Sequence, residues 1–519
     1  MVTVESVREL PDGRVTVDRA DPRLQASPYC NDDLAPTTIE QRHWNTYNYA
    51  ALWVGMSHCI PSYLLASGLI LAGMGWVQAV LTIALANLIV LVPMLLNGHA
   101  GTKYGIPFPV FARSSLGIRG ANLAAVMRAL VACCWFGIQT WIGGEGFFIL
   151  LSKIVGGNWA KAHMIYGYPW TQWVCFVGFW IVEMLIIWRG METLRRFENW
   201  AAPFVIAGAL ALFIYLVVKA GGLGPIVHQG SELGWGSKFW HVFFPSLMGM
   251  IGFWSTLSLN IPDFTRFGAS QRKQMWGQAI GLPTTMTAFA LLAVLITSGA
   301  EVVYHEKIWD PIALTGRLNN TVALAVALAM IAVATISVNV AANTVSPSYD
   351  FSNLAPRFVS FRTGGLITGV IGVAVQPWRL LKDPNIYIFT WLTFCAGLLG
   401  ALAGLLIADY WLVRHTRLKV DELYLREGRY WYRSGWNPAG IIAALVGMVL
   451  AVGGAYSKGS GPFPADGVIP FLKPLYDYSW AVGVGAAGLT YLILYPMQPA
   501  SWRGRTAQHR LTNPVPATE

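Results

Sequence analysis

The sequence predicts an all-α membrane protein of twelve transmembrane helices, and three observations carry that prediction. Charged residues make up 12% of the 519-residue chain against 55% hydrophobic residues, about half the charge a soluble domain uses to cover its surface. Apolar stretches of roughly 20 residues, the length that spans about 30 Å of hydrocarbon, recur from end to end. Lys and Arg are shared unevenly between alternate links. This composition excludes a cytosolic enzyme, a disordered chain and a coiled coil. A formal charge of +10 would point to nucleic acid only if a basic face sat on a soluble domain, and no link is long enough to be one.

The stretches fall at about 48–72, 75–97, 121–151, 168–188, 200–220, 238–260, 275–300, 321–345, 363–379, 386–412, 437–456 and 475–496. With the N-terminus in the cytoplasm, 25 of the 36 Lys and Arg lie on the cytoplasmic face and 10 on the other. Arg128 remains, near the start of the third span, where snorkelling would bring it to the cytoplasmic interface. The bias of basic residues toward the inside places both termini in the cytoplasm of a multi-pass protein of the cell membrane. Residues 1–47 are polar, carry five Arg and hold no apolar run. No cleaved signal peptide is therefore expected, and the first span acts as the insertion signal. Five of the six cysteines, Cys59, Cys133, Cys134, Cys175 and Cys395, lie in apolar stretches, Cys30 lies outside them, and no pair has metal-ligand spacing. They read as small packing residues.

Two spans differ from ordinary membrane helices. The first reads Gly55-Met56-Ser57-His58-Cys59-Ile60-Pro61-Ser62 at its centre, and the sixth reads Gly249-Met250-Ile251-Gly252-Phe253-Trp254-Ser255-Thr256, then Asn260-Ile261-Pro262. Gly and Pro in mid-span free backbone groups that lipid cannot satisfy, so such breaks persist only where protein or a cavity surrounds them. Breaks in first and sixth place are the expected pattern of two inverted five-helix repeats, the LeuT-type layout with its site at the repeat interface. The expected organisation is a cytoplasmic segment 1–47, repeats at 48–220 and 238–412, two additional spans within 413–496 and a cytoplasmic tail 497–519.

The third span holds Trp135 and Gln139, four residues apart and so on one helical face, and the eighth holds Asn339 and Asn343 in the same relation. Carboxamides in hydrocarbon are costly unless paired, and each offers an acceptor oxygen and two donor hydrogens. A planar cyclic amide or ureide presents the complementary edge, N–H beside C=O. Indole faces from Trp135 and Trp254, with Phe253 beside them, would sandwich such a ring while Gln139 and Asn343 read its edge. The same amides serve equally as hydrogen-bonded glue between helices, and spacing alone leaves both readings open.

Four stretches carry a family resemblance: Phe111-Ala112-Arg113-Ser114-Ser115-Leu116-Gly117-Ile118-Arg119-Gly120, Trp135-Phe136-Gly137-Ile138-Gln139-Thr140-Trp141, Asn339-Val340-Ala341-Ala342-Asn343 with Ser346-Pro347, and Ala408-Asp409-Tyr410-Trp411-Leu412-Val413-Arg414. With Asn45-Thr46-Tyr47-Asn48 before them, they make the chain resemble the nucleobase:cation symporter-1 family, which includes hydantoin, allantoin and uracil permeases. The resemblance implies a symporter in which Trp135 and Trp254 stack on the substrate and Gln139 and Asn343 read it. The family's amide at the first-span break falls on Cys59, a departure, since a thiol is a poor hydrogen-bond partner. The implied cation site falls on Gly55, His58, Ala334, Ser337 and Val338. Val338 has no side-chain oxygen, so one hard ligand of a sodium shell is missing, which favours protons as the coupling ion. Glu145, six residues beyond Gln139, is the proton-coupling candidate, and Glu183 in the fourth span is the other carboxyl well inside an apolar segment.

The expected function is a secondary transporter importing a nucleobase or related cyclic ureide, with no cofactor and with proton or sodium as coupling ion. Its occluded state would close the broken helices and the tenth span, around Trp391 and Leu392, over the ring. An amino-acid or amine transporter on the same fold is the alternative, although it would want a charged partner for its substrate. A membrane-embedded enzyme would need catalytic acids or metal ligands at a membrane face, and the sequence shows no phosphate loop, zinc-ligand cluster or nucleophile–base pair. Asp263 and Asp409, close to Arg266 and Arg414, read as paired interface charges.

Overall fold

The fold was analysed in a computed structural model that describes residues 7–499 apart from 190, 319, 382 and 458–460; the side chains of 191–202, 204, 205 and 341 are also outside the description. Arg195, Arg196, Lys382, Lys458, Arg503, Arg505 and Arg510, which contribute to the charge bias, therefore lie outside the described residues or side chains.

A bent pair opens the bundle: α1 (Thr46–Ser57) and α2 (Ile60–Leu71) meet at 61°. Then come α3 (Trp76–Tyr104), the short α4 (Phe108–Leu116), α5 (Ala121–Val155), α6 (Trp170–Arg189) and α7 (Met191–Lys219). The second group comprises α8 (Ser237–Asn260), α9 (Gln271–Tyr304), α10 (Thr321–Asn343), its continuation α11 (Val345–Leu354), α12 (Phe361–Ala374) and α13 (Asn385–Val413). α14 (Pro438–Val452) and α15 (Ser479–Met497) follow and pack on α13. Among the described residues, eight helices are individually long and apolar enough to cross a membrane, and α1–α2 is a ninth as a bent pair. Three shorter apolar helices, Ile206–Lys219 within α7, α12 and α14, occupy the other stretches expected to span.

Local chemistry sets the helix ends. Asn45 and Asn48 form a reciprocal cap at the start of α1, with Asn45 N donating to Asn48 Oδ1 at 2.9 Å and Asn48 N to Asn45 Oδ1 at 3.2 Å. α3 stops at Gly105, whose φ of 69° is the left-handed conformation that glycine adopts without strain. Between α1 and α2 the chain leaves helical geometry at His58 (φ −89°, ψ 72°) and is extended at Cys59 (φ −137°, ψ 162°). Protein groups cover the break. His58 Nδ1 donates to Val54 O at 2.6 Å, and the Tyr387 hydroxyl donates to Pro61 O at 3.2 Å.

The sixth span departs from expectation. α8 runs unbroken through Gly249–Trp254 and ends at Asn260, where Pro262 starts a separate turn. Its glycines admit α13 at close range instead. A Cβ at Gly249 would lie 2.9 Å from Ile388 Cγ2, and one at Gly252 would lie 2.3 Å from Leu392 O. α13 carries an irregularity that the sequence did not suggest: Asn385–Leu392 and Ala408–Val413 are π-helical, a form that recurs at functional sites.

The buried charges also differ from expectation. Arg128 does not snorkel; it is fully buried and its Nη1 lies 3.2 Å from Asp350 Oδ2 of α11. Asp263 is buried and accepts from Phe108 N at 2.7 Å, while Arg266 donates to Asp33 O and Ala35 O. Asp409 does pair with Arg414, at 2.8 Å, but inside the protein, where Ser114 Oγ and the Tyr491 hydroxyl also donate to it. Nor is the N-terminal segment featureless. Strands β1 (Val7–Glu9) and β2 (Val15–Val17) form a hairpin, and the buried Arg42 donates to Val15 O and Thr37 O. Burial, with Arg14 and Arg266 nearby, lowers the Arg42 guanidinium to about 10, so it stays charged at neutral pH.

Removing one partner of the Arg128–Asp350 pair would strand the other charge. Arg128→Met is expected to destabilise the protein by about 3–5 kcal/mol, read as a lower melting temperature in detergent. Adding Asp350→Leu to it removes both charges and should recover most of the loss.

Candidate functional site

The break between α1 and α2, the middle of α5, the middle of α8 and the C-terminal half of α10 converge on one small cavity. Met56, Cys59 and Pro61 line it from the first span, Trp135 and Gln139 from α5, and Phe253, Trp254, Thr256 and Leu257 from α8. Val338, Ala342 and Asn343 complete it from α10. The space between them is about 20 Å³, room for a single water. None of the lining residues carries a charge.

Aromatic side chains close the space. Trp135 stands edge-on to Phe253 with ring centroids 4.9 Å apart, and to Trp391 of α13 at 4.8 Å. Trp254 packs against Phe253 at 4.9 Å and against Trp53 at 5.1 Å. The two indoles expected to form a sandwich are thus separated by Phe253, a residue whose spacing allowed contact with the ring but not this position. Trp391 was expected to close over the site, and it packs directly on Trp135. Two buried polar atoms in the lining, Gln139 Oε1 and Trp254 Nε1, make no protein hydrogen bond.

Asn343 is held from behind. Its Nδ2 donates to Asn339 Oδ1 at 3.0 Å, and Asn339 Nδ2 donates to Glu183 Oε1 at 2.8 Å. The helical pairing of the two amides therefore serves both expected purposes: Asn339 joins helices and Asn343 faces the cavity. Cys59 caps α2 without a side-chain bond to its backbone, and its Sγ lies 3.3 Å from Ser62 Oγ.

Cys59 also borders a second cavity of about 380 Å³, lined mainly by apolar side chains of α2, α7, α9 and α10, including Tyr63, Leu212, Phe289, Met330 and Ala334. Of the implied cation site, Ala334 borders this cavity and Val338 the first, and Cys59 of the helix break borders both. The His58 ring packs on Phe289 at 4.9 Å and its Nδ1 is engaged by Val54 O. Ser337 is buried on the same stretch of α10. Glu145, six residues beyond Gln139 on α5, does not line the cavity that Gln139 lines. Among the described residues no group of three or more His, Cys, Asp or Glu is arranged to hold a metal.

Comparison with known proteins fits this architecture. The chain is 39% identical to the allantoin permease of Bacillus subtilis over 492 residues, covering 93% of this chain and 97% of the relative. It is 41% identical to the purine-uracil permease NCS1 of Arabidopsis thaliana over 435 residues, covering 82% and 72%. Among solved structures it resembles Mhp1, a nucleobase-cation-symport-1 family transporter, in a closed conformation with bromovinylhydantoin bound. The TM-score is 0.72 at 24% identity, covering 90% of this chain and 96% of Mhp1, and the likeness gives the fold, an all-α transporter of the LeuT type. Residues 36–483 match the family described as permease for cytosine/purines, uracil, thiamine, allantoin. The chain belongs to that family of membrane permeases and is not an enzyme.

Proposed function

We propose that this permease imports a nucleobase or related cyclic ureide, of the uracil, allantoin or hydantoin class, by ion-coupled alternating access. The observation that carries this is the uncharged cavity in which Trp135, Phe253 and Trp254 supply ring faces while Gln139 and Asn343 supply amide edges. A flat neutral ring with N–H beside C=O matches both. The relatives named as allantoin and purine-uracil permeases support the same class. An amino acid or amine is not favoured, because the lining offers it no charged partner.

The cavity is closed on its own aromatic side chains, so a ring enters only when Trp135, Phe253 and Trp391 separate. Substrate that bridges these groups would then stabilise an occluded arrangement, and the coupling ion would bias the equilibrium between outward and inward access. The domain plan that accompanies this function places repeats at 48–220 and 238–412, additional helices within 413–496, and both 1–47 and 497–519 in the cytoplasm.

Uptake of labelled uracil, allantoin and hydantoin into cells or proteoliposomes tests the substrate class. Trp135→Ala and Asn343→Ala are each expected to lower uptake at least tenfold with the protein still inserted, about 1.4 kcal/mol or more of lost binding. Normal uptake by both variants would overturn the site.

Protons are the coupling ion this site favours. Gly55, His58 and Ala334 offer backbone carbonyls and Ser337 a hydroxyl, but Val338 presents hydrocarbon where a hard cation wants oxygen. Uptake should persist when choline replaces sodium and collapse with a protonophore. Sodium-dependent uptake abolished by Ser337→Ala would reverse this assignment.

A further inference from the structure

Glu183 lies behind the cavity lining at the end of the Asn343–Asn339 hydrogen-bond chain. It is fully buried on α6, and unlike Asp350 and Asp409, which face Arg128 and Arg414, it faces no cation among the described residues. Its two oxygens meet Asn339 Nδ2 at 2.8 Å and Thr140 Oγ1 at 2.7 Å. Thr140 Oγ1 is also 2.8 Å from Phe136 O, and Asn339 Nδ2 is also 3.1 Å from Phe136 O.

Counting hydrogens across this cluster gives two complete solutions. With Glu183 ionised, the Thr140 hydroxyl donates to Oε2 while Asn339 donates to Oε1 and Phe136 O. With Glu183 protonated on Oε2, the new O–H donates to Thr140 Oγ1, and the hydroxyl turns to Phe136 O. Asn339 stays as it was. No donor or acceptor is orphaned in either state, and they differ by one proton and one hydroxyl rotation. A purely structural carboxyl has no need of a shell that accepts both forms.

We propose that Glu183 is the proton-carrying site of this transporter, coupled to substrate through the Glu183–Asn339–Asn343 hydrogen-bond chain. An uncompensated charge so deeply buried is costly, so the packed arrangement of α5, α6 and α10 is the one in which Glu183 holds its proton. Substrate bound against Asn343 stabilises that packing. When α5 and α10 part from α6 and water reaches the carboxyl, the O–H bond breaks, the electron pair stays on Oε2 and the proton leaves to water on the side then open. Proton and substrate thus bind together and are released together, which is symport. The groups facing Glu183 are Thr140 and Phe136 of α5 and Asn339 of α10. The ionisable groups described on the elements packed around it are Arg128, Cys133, Cys134, Glu145 and Lys153 of α5, Tyr215 and Lys219 of α7, Arg362 of α12, Tyr168, and Cys175 and Arg189 of α6 itself; none of them makes a hydrogen bond or ion pair with it.

The proposal rests on the cavity being the substrate site, and the test separates the two. Purified protein is reconstituted in liposomes with the membrane potential clamped, and labelled allantoin and uracil are followed as an imposed pH gradient is varied. Glu183→Gln reproduces the protonated form, since its amide donates to Thr140 and its oxygen accepts from Asn339. It should keep equilibrium binding and exchange of label within about twofold while losing accumulation driven by the pH gradient, with a flat pH profile. Thr140→Val removes a bond from both states but costs the carboxylate more than the acid, so it should keep transport and raise the midpoint of the pH profile by about one unit, the tenfold difference between a charge-assisted and a neutral hydrogen bond. Gradient-driven accumulation by Glu183→Gln with the wild-type pH profile would overturn the proposal, as would loss of binding in that variant. Retained binding in Trp135→Ala and Asn343→Ala would instead reject the substrate site. Infrared difference spectra between acidic and alkaline pH need no substrate: a protonated-carboxyl band present in the native protein must vanish in Glu183→Gln, and its persistence rejects the assignment.

Discussion

Hydrocarbon offers no partner to a backbone N–H or C=O, and the chain leaves helical geometry at His58 and Cys59 in the middle of a span. The rest of the bundle is arranged around that break. α9 lies close enough to α1 that a Cβ at Gly281 would come within 2.9 Å of Trp53 Cδ1, and one at Gly277 within 2.5 Å of Tyr49 Cβ. Phe289 covers His58, Thr285 reaches Ser57 at 3.1 Å, and Tyr387 of α13 reaches Pro61. With the break so enclosed, Cys59 borders both internal cavities. The cost of interrupting the helix is thus offset by protein contacts, and the interruption becomes a polar point at the centre of an apolar fold.

The closed cavity follows from the same packing. Gly249 and Gly252 let α13 approach α8 to backbone contact, and this carries Trp391 onto Trp135 and Tyr387 onto the break. The π-helical stretch Asn385–Leu392 adds residues to a turn at that contact, so α13 has a local irregularity where a moving element would need one. Ring edges stacked at 4.8 and 4.9 Å are contacts that a bound planar ring can replace in kind.

Much of this was legible in the sequence, because periodicity and hydropathy report directly on which residues share a face and which segments cross lipid. Trp135 with Gln139, and Asn339 with Asn343, were paired by helical spacing alone, and they meet as that spacing requires. What failed were inferences that turned on a tertiary partner. Gly249 and Gly252 read as a break and are sites of close helix approach, a distinction that only the partner helix makes. Arg128 read as a snorkelling interface charge, but its partner Asp350 is 222 positions away along the chain. Spacing put Glu145 ahead of Glu183, which read as the more structural carboxyl. Only the fold shows that Glu183 touches the amide chain leading to the cavity while Glu145 is absent from the lining. Phe253 between the two tryptophans is likewise a tertiary fact, set by the rotation of α8.

Two of the four stretches that carry the family resemblance, Phe111–Gly120 and Ala408–Arg414, hold no residue of the cavity. Ser114 and Arg113 of α4, Asp409 and Arg414 at the end of α13, and Asn353 of α11 form buried polar contacts away from the cavity. Arg113 donates to Asn353 Oδ1 at 2.6 Å, Ser114 Oγ to Asp409 Oδ2 at 2.8 Å, and Arg414 to Ser114 O at 2.8 Å. Such contacts tie α4, α11 and α13 together with several charged groups whose loss would strand a neighbour, so they tolerate little change. The cavity imposes a weaker demand, since its aromatic side chains make van der Waals contacts that tolerate exchange and its free polar atoms await a ligand. Part of the family resemblance therefore lies in the scaffold, whereas on the proposed site substrate choice would rest on a few lining positions. Among them Cys59 carries a thiol where the resemblance implies an amide.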